Sequence, residues 1–589
     1  MYLLVTRIRS DLLRVTPLTD QGAPAGVDSL LSEDEFRTFA ADNERLLPRW
    51  VWNDTARLYP LLLSGGVRIK RAHDLRLCHA ILRRSEATAG SALANAPAGP
   101  WDESPPAAAA AVTGATLFDL EVSGPAAGEG AGPDDLTELQ AQLDAVGSAA
   151  EPGRLRLLLA AESVGALIAA EMQFAGLPWR SAIHDRLLTA ELGARAAGGR
   201  RPQRLEELAG RIRTALGDQA VNPDSPPELL RALNRAGVTT ASTRAWELEK
   251  IEHPVIEPLR RYQKLARLLS NNGWFWMESW IIRDRFHPEY LPGGVVTGRW
   301  ATRGGGALQL PRQVRGAVVA DPGWAFVVAD AAQLEPRILA ALAHDTAMAT
   351  AGRGTDLYAG IVASGVVETR ADAKVAMLGA MYGATSGQSG RLLPRLAHAY
   401  PQALALTESA ARAGEHGDVV STRLGRSSPR PGAAWQDDQG RATEAGATAG
   451  DERRARAQAR DWGRFTRNFI VQGSAAEWAL CWMAEIRKGL WDLPAVSEAG
   501  VAVDGAAEAP VADAGGSRGE PGPNPFGAVP HLVFFLHDEV IVHTPAALAD
   551  RVAEIVTDAA TTAGRLLFGD FPVDFPLTCV IVDSYADAK

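Results

Sequence analysis

Two aspartates stand where apolar runs end. In AFVVADAAQLEPRIL (325–339) an apolar run delivers Asp330 at its end. A helix is predicted to start near Gln333, with Pro336 tolerated only in its first turn. In LVFFLHDEVIVH (532–543) two apolar runs flank His537, Asp538 and Glu539, the pattern of a β-hairpin with a polar tip. Each aspartate alone reads most simply as a cap or turn residue. Two such carboxylates on adjacent strands suit a pair of Mg²⁺ ions about 3.5–4 Å apart, the arrangement used for in-line phosphoryl transfer. One metal lowers the pKa of an attacking hydroxyl, and both neutralise charge that develops on the leaving group. Oxygen donors with no Cys/His set nearby favour magnesium over zinc.

Between the aspartates lies TRADAKVAMLGAMYG (369–383). Thr369 and Asp372 form a loose capping box. Arg370, Lys374, Leu378 and Tyr382 recur every four residues and line one slowly drifting helix face about 18 Å long. That face is long enough to meet a triphosphate at its cationic end and a sugar and base at its far end. Gly379 and Gly383 leave the backbone open to close approach. Periodicity alone suits an amphipathic helix with a solvated Arg and Lys better; only combination with the two aspartates changes the balance.

The elements that must position these groups belong to a chain of 589 residues, long enough for about three or four domain-sized units. Hydrophobic residues make up 46% and charged residues 22%, ordinary for a soluble protein. No apolar run of about 18 residues suggests a membrane span, and MYLLVTRIRSDLLRV lacks the apolar block of a signal peptide. Cys78, Cys481 and Cys579 are far apart, which argues against a disulfide framework or structural zinc and fits a reducing cytoplasm. The formal net charge of −10 argues mildly against nucleic acid, but distribution matters more. Residues 297–320 carry Arg299, Arg303, Arg312 and Arg315 with no acid, and 453–467 carry six arginines against Asp461 alone.

Residues 86–115, 123–134, 427–451 and 498–529 are rich in Ala, Gly, Pro or polar residues and read as linkers or flexible insertions. Residues 154–173 and 228–236 read as helices, and 244–271 as a helical region broken by Pro254 and Pro258. In NPDSPPELL (222–230) Ser225 can cap and Pro226 suits the first helical turn.

In order along the chain, these segments resemble the family A DNA polymerases. Asp330-Ala-Ala-Gln-Leu-Glu-Pro-Arg337 resembles motif A (usually DYSQIELR), Arg370 to Gly383 resembles motif B, and His537-Asp538-Glu539 matches motif C. Asp356-Leu357-Tyr358 stands where the family commonly has Asp-Ile-His. Thr297-Gly298-Arg299, Leu308-Gln309, Asn222-Pro-Asp-Ser-Pro226, and Arg464 with Asn468 and Gln472-Gly473 match flanking segments, so the resemblance covers roughly residues 205–589. It implies an α/β (α+β) right hand of palm, fingers and thumb. The thumb would be near 206–290 with its helices at about 228–270, and palm and fingers near 291–589. The implied partners are primer–template DNA and deoxynucleoside triphosphates, with two Mg²⁺ ions as cofactor. It implies Asp330 and Asp538 as metal ligands and Arg370 and Lys374 as triphosphate ligands, with Lys374 also a general acid. Glu335 would be the gate against a ribose 2′-OH, and Gln333, Leu378 and Tyr382 would line the nucleotide site. Arg299, Gln309, Arg464, Asn468, Gln472 and His537 would contact DNA.

The departures carry expectations of their own. Ala331-Ala332 replaces the usual Tyr-Ser, Met377 the usual Asn, and Leu378 the aromatic that stacks on the nucleotide. Weaker nucleotide binding is expected from the last. Residues 1–205 occupy the place of the family's RNase H-like 3′–5′ exonuclease domain, yet the first strand has no DxE pair. Asn53-Asp54 and His73-Asp74 resemble later carboxylate positions only faintly, and AAES (160–163) stands where the last metal Asp is expected. A degenerate, non-proofreading domain kept as scaffold is expected. Scarce lysine and abundant Arg and Ala fit a GC-rich bacterial genome, and the chain resembles the bacterial bifunctional 3′–5′ exonuclease/DNA polymerase variant. A cytoplasmic, nucleoid-associated monomer is the corresponding expectation.

Overall fold

The computed structural model describes residues 1–103, 134–196, 198–249, 251–354, 356–383, 387–496 and 524–588, apart from the side chains of residues 245, 246, 309 and 388. The chain divides into two compact units. One holds Met1–Ala175, Glu289–Gly304 and Gly323–Ile581, and the other Gly176–Pro288, Gly305–Pro322 and Val582–Lys589.

The first unit contains two principal sheets. The N-terminal one has strands β1 (Tyr2–Arg9), β2 (Leu12–Leu18), β3 (Ser29–Ser32), β4 (Arg49–Trp52) and β5 (Ala72–Asp74), in the order β3-β2-β1-β4-β5. β1 is antiparallel to β2 and parallel to β4, and β4 is parallel to β5. Leu3, Leu4 and Val5 are consecutive and all buried, because both sheet faces are covered. Leu3, Val5, Trp50 and Trp52 pack on one face with Leu167 and Ala170 of the helix Pro152–Ala175, while Leu4, Val51, Leu75 and Leu139 pack on the other.

The second sheet has strands β6 (Trp324–Ala331), β7 (His531–Leu536), β8 (Glu539–Pro545) and β9 (Leu577–Val582), ordered β7-β8-β6-β9. The strand and hairpin read from the two apolar runs are present. Ala325 to Ala329 is continuously buried, and the helix after Asp330 runs Leu334–Leu342 with Pro336 in its first turn. The expected capped helix is Arg370–Tyr382, closed by Gly383 in a left-handed conformation (φ 74°). One helix of 43 residues, Ala449–Trp491, carries Arg464, Asn468 and Gln472.

The N-terminal sheet region is locked to this body by buried ion pairs. Arg487 bonds Glu171 through Nε (2.9 Å) and Nη2 (2.7 Å), and Tyr59 Oη donates to the same carboxylate at 2.6 Å. Burial alone would raise the Glu171 carboxyl, but Arg487, Arg68 and Tyr59 together hold it well below the ordinary range. Glu162 pairs with Arg426 at 2.7 Å.

Several linker readings give way to structure. Residues 433–443 form a helix with no buried residue, which explains its missing apolar period. Polar bonds hold it: Gln439 donates to the Ala455 carbonyl (2.9 Å) and Gln458 to Asp438 (2.8 Å). Within 86–115, Ala92–Asn95 is a short capped helix with Leu93 buried, and residues 104–115 lie outside the described residues. Of 498–529, Phe526 is buried in the N-terminal core against Phe174, at a centroid distance of 6.1 Å; residues 498–523 are not among the described ones, nor are 123–133.

The second unit is mainly helical, with Gln203–Leu216, Pro226–Arg235 and Ile256–Asn272 among its helices. Pro226 takes the first turn as expected, but Ser225 makes no side-chain cap bond, so the proline alone marks that start. The break in 244–271 falls before Ile256; Pro258 sits in the first turn of the following helix, where no N–H is missed. Arg244, Arg260, Arg261, Lys264 and Arg267 line one open groove of this unit.

Candidate active site on the β6–β8 strand ends

Asp330 is the register partner of Glu539, and the Ala331 N–H donates to the Asp538 carbonyl at 2.9 Å. Asp538 is therefore one residue beyond the position facing Asp330, at the two-residue turn between β7 and β8. Its neighbour His537 has φ 59°, and Gln333, three residues after Asp330, has φ 50°. Non-glycine residues uncommonly hold such angles; Leu47, Arg283, Asp284 and His344 also do so elsewhere in the chain. Both aspartates are partly exposed, whereas Glu539 is 2% exposed.

The Arg370–Tyr382 helix presents Arg370, Lys374 and Leu378 to solvent and buries Ala373, Ala376, Met377 and Ala380. Both its ends are tied to the segment that follows Asp330. At the far end Tyr382 Oη donates to Glu335 at 2.6 Å, and Arg299 bonds the other oxygen of the same carboxylate. At the near end Arg370 bonds Asp356, which also accepts from Gln333. Burial, then the Glu335 charge, push the Tyr382 hydroxyl up to about 12; Gln472 and Arg299 oppose this. His537 is lowered, first by desolvation and then by Arg299, with Glu335 acting the other way. Arg299, Glu335, Tyr382, Gln472 and His537 thus share one electrostatic neighbourhood.

Asn468 is buried and its Oδ1 finds no hydrogen-bond partner among the described residues. Arg464 is exposed, and its side chain approaches Gly383, where a Cβ would lie 3.0 Å from Arg464 Cγ. Gly383 suits its left-handed φ, and a Cβ there would press on the exposed Arg464 side chain. The Gln309 side chain lies outside the described residues. Sequence reasoning missed the Glu335–Tyr382 bond and the Gln333–Asp356–Arg370 chain, since side-chain pairing between segments leaves no periodic signal.

Among the described residues, no group of three or more His, Cys, Asp or Glu side chains is placed to hold a metal ion. The donor set here is two carboxylates without nitrogen or sulfur. That suits Mg²⁺, which is usually held by one or two carboxylates plus substrate phosphates and retained water rather than by an all-protein cage.

At the N-terminal sheet, the carboxylates at the exonuclease-like positions are helix caps. Asp54 accepts from Ala56 N (3.0 Å). Asp74 accepts from Leu77 N (3.0 Å) and Thr55 N (2.7 Å), and burial, with Asp54 nearby, pushes it up to about 6. Ser163 Oγ accepts from Asp74 N (3.1 Å) and donates to the Leu159 carbonyl (2.7 Å). β1 contributes no carboxylate. All three cysteines are free thiols, and no described helix is long and apolar enough to cross a membrane.

Residues 195–581 match the family described as DNA polymerase family A. A 170-residue stretch is 29% identical to DNA polymerase I of Chloroflexus aurantiacus, covering 26% of this chain and 18% of that protein. A 221-residue stretch is 25% identical to the thermostable DNA polymerase I of Thermus thermophilus, covering 33% and 26%. The chain thus spans about a quarter or less of these relatives. In fold it is similar to the POL domain of Pol1 from M. smegmatis, solved in complex with DNA primer-template and dNTP. The TM-score is 0.63 at 17% identity, over 100% of this chain and 95% of that one.

Proposed function

The chain belongs to DNA polymerase family A, and we propose that it extends a primer 3′-OH with deoxynucleotides on a DNA template. One observation carries this reading: the Arg370–Tyr382 helix is tethered at both ends to the segment following Asp330, so its cationic exposed face lies beside the strand ends bearing the two aspartates. A non-catalytic DNA-binding scaffold is the alternative, but a pure binding protein needs no metal carboxylates.

In this reading Asp330 and Asp538 would hold two Mg²⁺ ions, which would supply activation of the primer hydroxyl and neutralisation of charge on the departing pyrophosphate. Arg370 and Lys374 bind the triphosphate, and Lys374 gives the pyrophosphate its proton. Glu335, held between Arg299 and Tyr382, is a fixed wall at the sugar. Leu378 and Tyr382 border the base, with Gln333 behind the phosphates. Arg299, His537, Gln309, Arg464, Asn468 and Gln472 contact primer and template near the new pair. The basic groove of the second unit suits the phosphate backbone, as expected of a thumb at about 206–290, with palm and fingers at 291–589. The enzyme works as a monomer on bacterial nucleoid DNA in the cytoplasm.

Residues 1–205 are read as a degenerate exonuclease-type domain kept as scaffold. The capping duties of Asp54 and Asp74, and the two buried ion pairs to the rest of the unit, support this. Primer extension with Mg²⁺ and deoxynucleotides, with and without Asp538→Ala, tests the main reading: extension by the wild type alone is expected, and extension by neither overturns it. Metal-dependent removal of a mismatched 3′ nucleotide by an Asp330→Ala variant would refute the scaffold reading.

A further inference from the structure

Arg370 opens its helix with a side chain 57% exposed. A free arginine there would sample many rotamers, yet this one is fixed in two directions. In the guanidinium plane, Nε (3.1 Å) and Nη2 (2.6 Å) both donate to Asp356 Oδ2. Across its face, Cζ lies 5.4 Å from the Tyr358 ring centroid, within cation–π range. A guanidinium presents five N–H donors in a rigid fork. With one edge committed to Asp356, the two hydrogens of Nη1 and the second hydrogen of Nη2 point the other way.

Asp356 is itself immobilised. Its Oδ1 accepts from Ala359 N at 2.9 Å, capping the helix Leu357–Ala363, and its Oδ2 also accepts from Gln333 Nε2 at 3.1 Å. Gln333 Oε1 in turn accepts from Leu357 N at 3.2 Å. Gln333 can reach both because it sits in the left-handed region just after β6. A continuous polar chain therefore runs from the strand carrying Asp330, through Gln333 and Asp356, to Arg370.

We infer that Asp356 is a positioning residue that holds one edge of the Arg370 fork, over Tyr358 and backed by Gln333, so that the other edge meets the incoming triphosphate. The inference rests on the polymerase reading and assigns Asp356 no contact with substrate. Its signature is dependence on Arg370. Asp356→Asn keeps the Oδ1 acceptor that caps the helix, since Asn is as good an N-cap as Asp, but loses the charge.

The test is single-nucleotide primer extension by the wild type, Asp356→Asn, Arg370→Ala and the double variant, with KM for deoxynucleotide, kcat and primer–template Kd measured for each. Asp356→Asn is expected to raise KM roughly three- to fivefold, the upper part of the range for an exposed ion pair, with kcat and Kd nearly unchanged. Arg370→Ala raises KM further, and the double variant matches Arg370→Ala within about twofold, the non-additivity expected of coupled groups. Gln333→Leu, which leaves Asp356 in place, gives a smaller rise that also vanishes beside Arg370→Ala. An Asp356→Asn effect as large without Arg370 as with it overturns the inference, as does an unchanged KM. Failure of the wild type to extend overturns the polymerase reading and this inference with it.

Discussion

Asp330 faces Glu539 across the β6–β8 ladder, yet the two carboxylates differ in kind: Glu539 is 2% exposed while Asp330 opens to solvent. In the proposed reading Asp330 and Asp538, at the end of the ladder, are the metal ligands and the buried Glu539 is not. Asp330→Ala and Asp538→Ala should each lower kcat by about 10³-fold or more, because each removes several kcal/mol of charge stabilisation in the transition state. Glu539→Gln, which keeps shape in a buried position, should cost within about tenfold. Comparable losses in all three, measured by single-turnover extension, would contradict the assignment of Asp330 and Asp538, and not Glu539, as the ligands.

Leu378 is 36% exposed on the face that carries Arg370 and Lys374. An aromatic ring there would add base stacking worth about 1–3 kcal/mol. Leu378→Phe should therefore lower KM for deoxynucleotides at least severalfold and shift dideoxynucleotide discrimination. Equal KM values for the two proteins would contradict this.

Glu335 is gripped from both sides, by Arg299 and by Tyr382 Oη at 2.6 Å. In the proposed reading a carboxylate so held walls off the position of a 2′-hydroxyl. Glu335→Ala should relax discrimination against ribonucleotides by about 10²-fold or more, equivalent to roughly 3 kcal/mol of lost steric exclusion. Tyr382→Phe, which frees one oxygen of the grip, should relax it less. The ratio of kcat/KM for deoxy- and ribonucleotides measures both, and equal relaxation would place the gate in Tyr382 instead.

What could be read in advance divides along physical lines. The β6 strand, the β7–β8 hairpin and the Arg370–Tyr382 helix leave a local trace in apolar runs and a four-residue period, but Asp330 and Asp538 become candidates only through the order and combination of these segments. The helix 433–443 leaves no such trace, for it buries nothing and is held by Gln439 and Gln458. Phe526 sits among Gly and Pro and packs far away in sequence, against Phe174. Asp356 is in sequence only a family landmark without a task; its bonds to Gln333 and Arg370 exist only once three segments meet. Asp54 and Asp74 show the converse, since the same residue type that could hold a metal turns out to cap helices.

Glu477 lies in the long helix, fully buried, where Thr422 Oγ1 donates to one carboxylate oxygen and Leu424 N to the other at 2.9 Å. Burial outweighs these bonds and pushes its carboxyl up to about 7. A raised folded-state value means that the folded protein binds a proton more tightly than the unfolded chain. The stability this contributes is complete below the ordinary value of about 4.3 and is lost as pH rises through about 7. The loss should be on the order of 3 kcal/mol, since a tenfold difference in proton affinity is worth about 1.4 kcal/mol. Glu477→Gln can keep both contacts, its carbonyl accepting from Leu424 N and its amide donating to Thr422 Oγ1, while carrying no charge. The variant should therefore melt close to the wild type at pH 5 and several degrees above it at pH 8. A constant difference in Tm between the two proteins across that range would show that Glu477 does not titrate there.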